Sequence, residues 1–412
     1  MNRYAVFILA ALMADYFIGL TADFLNLKNQ KTIPPAEFSD LVDETSDSKN
    51  RDYLKANTIL GQCSGTISLL VTLGFWFASG FNFLDQWCRA QTGNELLAGL
   101  LFIALLLLGN ALLGLPFSIY STFVIEERFG FNRTDWQTFV IDRVKGLFLA
   151  LLLGTPLLAG IIWFFQSNGA WAWFYAWLAA AAFTLIIQLI APIWIMPLFN
   201  KFTPLPEGEL KEALVKYGEK VNFPLDQVFV VDGSKRSGKG NAFFTGCGRQ
   251  RRVALYDTLI KQHSSAELIA VLAHEIGHYK KRHILKMTTI AIIHQAIIFF
   301  LMGWFIRQPG LYQAFFMEHA STAAGLIFFS LLFTPVEMLL NPLFLAISRR
   351  HEFQADSFAA QSIDAPETLI KALKKLGHDN LANLTPHPLY VLLHYSHPPL
   401  LARVNALRKP DL

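Results

Sequence analysis

The stretch His274-Glu275-Ile276-Gly277-His278 decides more about the architecture of this chain than any other. Residues four positions apart lie on the same face of an α-helix, so His274 and His278 can present two imidazole nitrogens to one zinc ion. Glu275 can then take a proton from the water that attacks the substrate. The pattern therefore indicates zinc-dependent hydrolysis of a peptide bond.

The residues around this motif predict a helix that begins at about position 265. Ser264 and Glu267 have the spacing of a capping box, in which each side chain hydrogen-bonds the backbone N–H of the other residue. Apolar residues continue at helical intervals through Leu268, Leu272 and Ile276. The alternative, two histidines on an exposed polar helix face, does not account for this apolar context.

A zinc protease of this kind needs a third protein ligand. One pattern requires a glycine near position 281 and a histidine near position 284, but Lys281 and Ile284 stand there, so that class is excluded. The other common solution is a downstream glutamate. Four glutamates follow the motif: Glu318, Glu337, Glu352 and Glu367.

Glu352 is the glutamate with the most suitable surroundings. It begins the stretch Glu352-Phe353-Gln354-Ala355-Asp356, which places Asp356 one helical turn further on the same face. A carboxylate in that position can orient an imidazole that binds the metal. We predict Glu352 as the third ligand and Asp356 as its supporting carboxylate. An exposed acidic pair that faces Arg349 and Arg350 is the alternative.

The composition predicts a membrane protein. Hydrophobic residues make up 53% of the chain and charged residues 16%, which is unusual for a soluble enzyme. The apolar residues form seven blocks long enough to cross a bilayer, near 4–24, 64–84, 97–124, 146–166, 171–199, 284–306 and 323–347. The first block could be a signal peptide, but Asp15 interrupts it and no clear cleavage site follows, so we interpret it as a retained span.

The positive charges of the short loops predict the orientation. Lysines and arginines are frequent in the loops 26–57 and 127–145, which lie on the same side of the membrane when seven spans are counted. The short loops on the other side hold only Arg89 and Arg307. The positive-inside rule therefore places the N-terminus outside and the C-terminus in the cytoplasm. The regions that carry the proposed ligands are separated from these positive loops by an even number of spans, so they also lie on the cytoplasmic face.

The polar region that contains the motif predicts a small β-sheet. Gln227–Asp232, Gly240–Thr245 and Arg252–Tyr256 read as short strands, and Gly246-Cys247-Gly248 reads as a hairpin turn. An exposed edge strand can hold the backbone of an extended substrate. We nominate Asn241-Ala242-Phe243-Phe244 as that edge, with an ordinary structural hairpin as the alternative.

The spacing between the ligands and the spans places the metal near the membrane surface. If the helix of the motif continues into the sixth span, His278 lies about 9 Å from Ile284 at the helical rise. Glu352 lies about 8 Å beyond Ile347, at the end of the seventh span. A protease placed there suits substrates that are held in the bilayer, either lipid-modified or transmembrane.

With these features together, the chain resembles the type I CAAX prenyl proteases, integral-membrane zinc metalloproteases that trim prenylated C-termini. The resemblance extends beyond the zinc motif to an ordered set of segments: 124–132, 197–205, Ser234-Lys235-Arg236-Ser237, 241–246, 352–356 and Tyr395-Ser396-His397-Pro398-Pro399. The zinc motif is shared by many families, but this set together with seven spans is highly specific.

The resemblance implies a ring of seven helices around an intramembrane chamber, closed at the cytoplasmic end by a gluzincin-like zinc domain with a small sheet. It also implies one zinc ion per chain and a role for each site residue. The ligands fall on His274, His278 and Glu352, the general base on Glu275, a group that polarises the scissile carbonyl on His397, and supporting groups on Arg403 and Asn241. The nominated edge adds Asn241, Ala242 and Phe243 as substrate-binding residues.

The resulting organisation is a mainly α-helical polytopic membrane protein with four regions. Residues 1–199 hold spans one to five, 200–283 the metalloprotease segment, 284–347 the last two spans, and 348–412 the segment that completes the zinc site. Eight other histidines read as surface or helix-packing residues, with a place in the cavity open for His294 and His351: His263, His283, His294, His319, His351, His378, His387 and His394.

The expected partners are the lipid bilayer and a prenylated or otherwise membrane-anchored substrate. The net charge of +4 reflects the positive loops and does not call for nucleic acid. A monomer would suffice, and in a bacterial host the location would be the inner membrane. Two other functions stay open: a metalloprotease for quality control of membrane proteins, and a transporter that uses the polar groups inside its spans.

Overall fold

The computed structural model describes residues 1–30, 35–40, 44–223, 225, 228–245 and 252–409. The described residues form long helices and one small sheet. The helices are α1 (Arg3–Lys28), α2 (Glu44–Phe77), α3 (Gly80–Gln91), α4 (Glu95–Tyr120), α5 (Trp136–Leu149), α6 (Thr155–Ser167), α7 (Ala172–Ile190), α8 (Met196–Phe199), α9 (Glu209–Lys220), α10 (Asp257–Gln262), α11 (Ser265–Lys280), α12 (His283–Phe305), α13 (Pro309–Ala314), α14 (Thr322–Ser362), α15 (Glu367–Asp379), α16 (Pro388–His394) and α17 (Leu400–Leu407). The strands are β1 (Phe202–Pro204), β2 (Val228–Val231), β3 (Ala242–Thr245) and β4 (Arg252–Tyr256).

The prediction of seven spans is confirmed. Seven helical segments are long and apolar enough to cross a membrane: α1, α2, α4 with its extension, α5 with α6, α7 with α8, α12 and α14. The π-helical turns Ser121–Glu126, Ala150–Gly154 and Ala191–Ile195 extend α4 and join the two compound segments. In the first six spans only 6–22% of the most apolar window is buried, so most of their apolar surface is left for contact with lipid.

Several predicted spans have different bounds in the structure. The span predicted at 146–166 begins ten residues earlier, at Trp136. The span predicted at 64–84 is wrong at both ends, because α2 extends over polar residues from Glu44 and ends at Phe77. Ser79 adopts a left-handed conformation with φ 59°, and the amphipathic helix α3 follows it. The span predicted at 323–347 is the first part of α14, a helix of 41 residues and about 60 Å.

The chain breaks between the motif helix and the sixth span. α11 ends at Lys280, and Arg282 takes a left-handed conformation with φ 56° before α12 begins at His283. The expected continuous helix is therefore wrong at this point. A left-handed residue cannot continue a right-handed helix, so α12 leaves in a new direction.

The sheet has the strand order β1-β2-β4-β3. β2 runs parallel to β4, while β1 and β3 are antiparallel to their neighbours. β1 was not predicted, because three residues ending at Pro204 carry little periodic signal. The three predicted strands are present: β4 has the predicted bounds, and the ends of β2 and the start of β3 are shifted by one or two residues. Both Gln227 and the turn Gly246-Cys247-Gly248 lie outside the described residues.

The two largest hydrophobic clusters among the described residues hold the two parts of the fold together. One lies outside the spans and joins α11 to the sheet and to the C-terminal helices; it includes Leu272 and Ile276 of α11 and Leu255 of β4. The other lies among α1, α2, α4 and α14 and is rich in aromatic rings, with Trp76 and Phe328 fully buried. The motif helix is thus fixed by the first core, at the end of the membrane bundle.

Candidate active site

The site lies where α11 packs against the second half of α14. Gly277, inside the motif, makes this close packing possible. A Cβ atom at this position would lie 3.0 Å from the backbone Cα and carbonyl oxygen of Ala355. The capping box of Ser264 and Glu267 forms as predicted and fixes the start of α11. Glycine at the fourth position of the motif therefore brings the two helices together.

His274, His278 and Glu352 converge as a set that could hold a metal ion. The Nε2 atoms of the two histidines are 3.1 Å apart. In the Glu352 carboxylate, Oε2 lies 3.4 Å from His274 Nε2 and Oε1 lies 3.3 Å from His278 Nε2. Ligands about 2.0–2.1 Å from a tetrahedral zinc ion would stand about 3.3 Å from one another. The two imidazole nitrogens and the carboxylate therefore have the spacing that a zinc ion requires.

The burial of Glu352 gives a second test of this fit. Its side chain is 5% exposed, and Oε2 is buried without a hydrogen-bond partner among the described residues. A buried carboxylate oxygen is costly unless a charge or a donor satisfies it. A divalent cation at the centre of the three ligand atoms would satisfy it, so the residues present fit the metal.

Asp356 orients the first histidine. Its Oδ1 lies 2.8 Å from His274 Nδ1, so the imidazole donates its Nδ1–H and directs the lone pair of Nε2 towards the other ligands. Arg403, on α17, donates to both carboxylate oxygens of Asp356 at 2.7 and 2.6 Å. Arg403 is 9% exposed and Asp356 is 2% exposed. The pair is a buried bidentate salt bridge that holds His274 in one tautomer.

Glu275 lies beside the ligands and touches the sheet. The backbone N–H of Phe244 donates a hydrogen bond to its carboxylate. Burial raises the pKa of Glu275 above the ordinary glutamate value. This effect is larger than that of the nearby His274, which lowers the pKa. A raised pKa suits a carboxylate that accepts a proton and then releases it near neutral pH.

His397 reaches the site from the segment between α16 and α17. Its Nε2 lies 3.4 Å from Glu352 Oε1, and its Nδ1 lies 2.9 Å from Ser396 Oγ. The ring is 64% exposed, so it borders the open side of the site. A cavity of about 400 Å³ adjoins it and is also lined by Asn380 and Arg403.

The nominated substrate-binding strand is β3, which lies at one edge of the sheet in the described part of the chain. The Asn241 carbonyl accepts from the N–H of Tyr256 on the neighbouring strand, so its backbone faces β4. Alternate residues face opposite sides of a strand, so the backbone of Ala242 and Phe244 faces the free edge. Phe243 pairs with Ala254, so its backbone faces the neighbouring strand β4.

Two residues that the sequence analysis did not assign also belong to the site. His283, interpreted as a surface or packing residue, is 3% exposed, and its Nδ1 lies 3.1 Å from Nδ1 of His278, one of the candidate ligands. Gln354, between Glu352 and Asp356, contacts His283 at 2.9 Å. The break at Arg282 hid this contact, because an unbroken helix would turn His283 away from His278.

Comparisons with known proteins agree with this arrangement. A family model described as CAAX prenyl protease N-terminal, five membrane helices, matches residues 23–201. A second model, described as Peptidase family M48, matches residues 204–411. The second match contains every candidate site residue named above.

Full-length relatives and a solved structure give the same result. The chain is 35% identical to CAAX prenyl protease 1 of Saccharomyces cerevisiae over 92% of this chain and 89% of the yeast protein. It is 33% identical to a human CAAX prenyl protease 1 homolog over 97% of this chain and 94% of the human protein. The crystal structure of S. mikatae Ste24p matches with a TM-score of 0.94 and 32% identity, covering 99% of this chain and 100% of that one.

Sequence, architecture and site therefore lead to one assignment. The two family models together cover residues 23–201 and 204–411, and the described residues contain seven candidate spans, a small sheet and the His-Glu-x-x-His helix. The chain belongs to peptidase family M48, within the CAAX prenyl protease 1 group of integral-membrane metalloproteases.

Proposed function

We propose that this protein is a zinc-dependent endopeptidase that removes the C-terminal residues of prenylated CAAX-type proteins at the membrane surface. The observation that carries the proposal is the triangle of His274, His278 and Glu352 atoms at zinc spacing, built partly on the helix that continues from the last span. The relatives' names state the prenyl protease activity for those proteins. Two histidines and one glutamate are a common ligand set of catalytic zinc.

The side chains around the ligands divide the reaction between them. Bound zinc supplies a Lewis acid that acidifies the attacking water and polarises the scissile carbonyl. Glu275 accepts the proton of that water and passes it to the nitrogen of the departing peptide. His397 donates a hydrogen bond to the oxygen that becomes negatively charged during the attack. Arg403 acts indirectly: it holds Asp356, and Asp356 orients His274.

The free edge of β3 supports a specific placement of the substrate. The Phe244 N–H is occupied by Glu275, and the Ala242 N–H is occupied by the Asn241 side chain at 2.9 Å. The carbonyls of Ala242 and Phe244 therefore remain as backbone acceptors at this edge. An extended peptide that donates N–H groups to them would lie beside Glu275, as strand addition requires.

A prenyl group on the substrate should improve binding much more than it improves chemistry. The ligand Glu352 lies on α14, so the lipid can stay in the bilayer or chamber while the peptide reaches the site. Each buried CH₂ contributes about 0.8 kcal/mol, and about 1.4 kcal/mol is a tenfold change in affinity. We expect a farnesylated Cys-a-a-X peptide to show at least a tenfold lower KM than its bare counterpart, with kcat within about tenfold.

This prediction is checked with both peptides in the same liposomes. Mass spectrometry locates the cleaved bond, and initial rates give KM and kcat separately. Cleavage of the farnesylated peptide after the modified cysteine supports the proposal. Equal KM values for the two peptides would contradict it and favour a quality-control protease for membrane proteins.

The orientation follows from the positive loops. We propose that the N-terminus is outside and that the zinc site and C-terminal segment face the cytoplasm, so the α12–α14 connection faces outward. In a cysteine-free background, His319→Cys in that connection should react with an impermeant maleimide on intact cells. Lys281→Cys, exposed beside the zinc site, should react only after lysis. The opposite labelling pattern would overturn this orientation.

A further inference from the structure

We propose that His283, itself held by Gln354, is a positioning residue that fixes the tautomer and direction of the metal ligand His278. The inference rests on the zinc site proposed above and adds the support of its second histidine. His283 lies outside the motif and is separated from His278 by the helix break. Gln354 lies on α14, two residues after the ligand Glu352.

Three side chains form a continuous line from α14 to the second ligand. Gln354 Oε1 lies 2.9 Å from His283 Nε2, and His283 Nδ1 lies 3.1 Å from His278 Nδ1. His278 Nε2, on the far side of its ring, is the atom that lies 3.3 Å from Glu352. Every nitrogen of the two rings therefore has a defined neighbour.

Only one placement of the imidazole hydrogens lets His278 bind a metal and form both hydrogen bonds in this line of side chains. His278 needs a free lone pair on Nε2 to bind a metal, so its hydrogen must be on Nδ1. His283 Nδ1 must then accept that hydrogen, which leaves its own hydrogen on Nε2. The Nε2–H donates to the side-chain oxygen of Gln354, the atom that faces it. Both histidines are neutral and each donates one hydrogen bond.

The break before α12 puts His283 in place. Arg282, in its left-handed conformation, turns the chain so that the first residue of α12 faces back to α11. The ring of His283 then stacks on the ring of His351, with centroids 4.0 Å apart and an angle of 10° between planes. Both rings are buried, at 3% and 8% exposure. The stacking leaves the His283 ring little freedom to rotate.

The two zinc histidines are thus supported in different ways. His274 is held by the carboxylate of Asp356, whereas His278 is held by a neutral imidazole and a neutral amide. The negative charges of Glu275, Glu352 and Asp356 already balance Arg403 and a divalent ion. A neutral support for His278 orients the ligand without adding a further negative charge.

The test measures zinc affinity, by competition with a chelator, in full-length protein in detergent. Removal of an orienting partner typically weakens metal affinity 10- to 100-fold. We expect this loss for His283→Ala and for Gln354→Met, which keeps the side-chain length but removes the acceptor. Gln354→Glu, which retains an acceptor oxygen, should stay within a few-fold of the parent. Gln361→Met, at an exposed position of the same helix, should leave the affinity unchanged.

A second readout separates positioning from general stability. In cobalt-substituted protein, the visible absorption should change for His283→Ala and Gln354→Met and be preserved in Gln354→Glu. The melting temperature of the metal-free protein should stay near that of the parent for Gln354→Met. Parental zinc affinity in both His283→Ala and Gln354→Met would overturn the inference, as would equal losses in Gln354→Met and Gln354→Glu. Failure of the parent to bind zinc would count against the proposed function itself.

Discussion

Replacing Glu275 by glutamine should nearly abolish peptide hydrolysis while the protein keeps its zinc. The amide has the shape of the carboxylate but cannot accept a proton from the attacking water, and a positioned general base contributes about 10²–10⁴ to the rate. The ligands His274, His278 and Glu352 are untouched by this change. We expect kcat to fall by at least two powers of ten at unchanged zinc stoichiometry, measured with the farnesylated peptide and by metal analysis.

A matched control uses a neighbouring carboxylate outside the site. Glu267→Gln changes the capping box at the start of the same helix, and Glu267 belongs to no part of the proposed chemistry. This variant should lose some thermal stability and retain zinc and kcat. Turnover by Glu275→Gln near the parent rate would contradict the proton transfer assigned to Glu275.

Replacing Glu352 by alanine should remove the metal and the activity together. The change deletes one of three ligands and leaves two histidines on α11, which hold zinc much more weakly. We expect substoichiometric zinc after purification and activity at the background level. Glu367→Ala, which alters the first turn of α15 and lies outside the site, is the control and should keep both. Stoichiometric zinc in Glu352→Ala would remove Glu352 from the ligand set.

Much of the architecture could be predicted from the sequence because it is encoded over short distances. Hydrophobic blocks of bilayer length identify spans, and all seven are present. Helical periodicity places His274 above His278 and Glu352 above Asp356, and these side chains meet in the structure. The strand β3 was likewise recognisable from a short pattern, and it lies at one edge of the sheet among the described residues.

The parts that could not be predicted depend on a change of direction or on tertiary contact. Five positions along an unbroken helix would place His283 about 140° around the axis from His278, so periodicity argues against their contact. The left-handed conformation of Arg282 breaks the helix, so this angular spacing no longer applies. The role of Gly277 depends on the backbone of Ala355, which is distant in the chain. The start of α2 was misjudged because hydropathy reports membrane crossing and not helix length.

The proposed ligands lie before and after the hairpin formed by α12 and α14 in the sequence, and this has a consequence for biosynthesis. A chain is made from its N-terminus, so the two histidines of α11 are synthesised before Glu352, and Arg403 follows later still. α14 can deliver Glu352 to α11 only after both hairpin helices have entered the bilayer. If these ligands are correct, a nascent chain that carries Glu275 lacks a complete ligand set, and we expect peptidase activity only after both helices have been inserted.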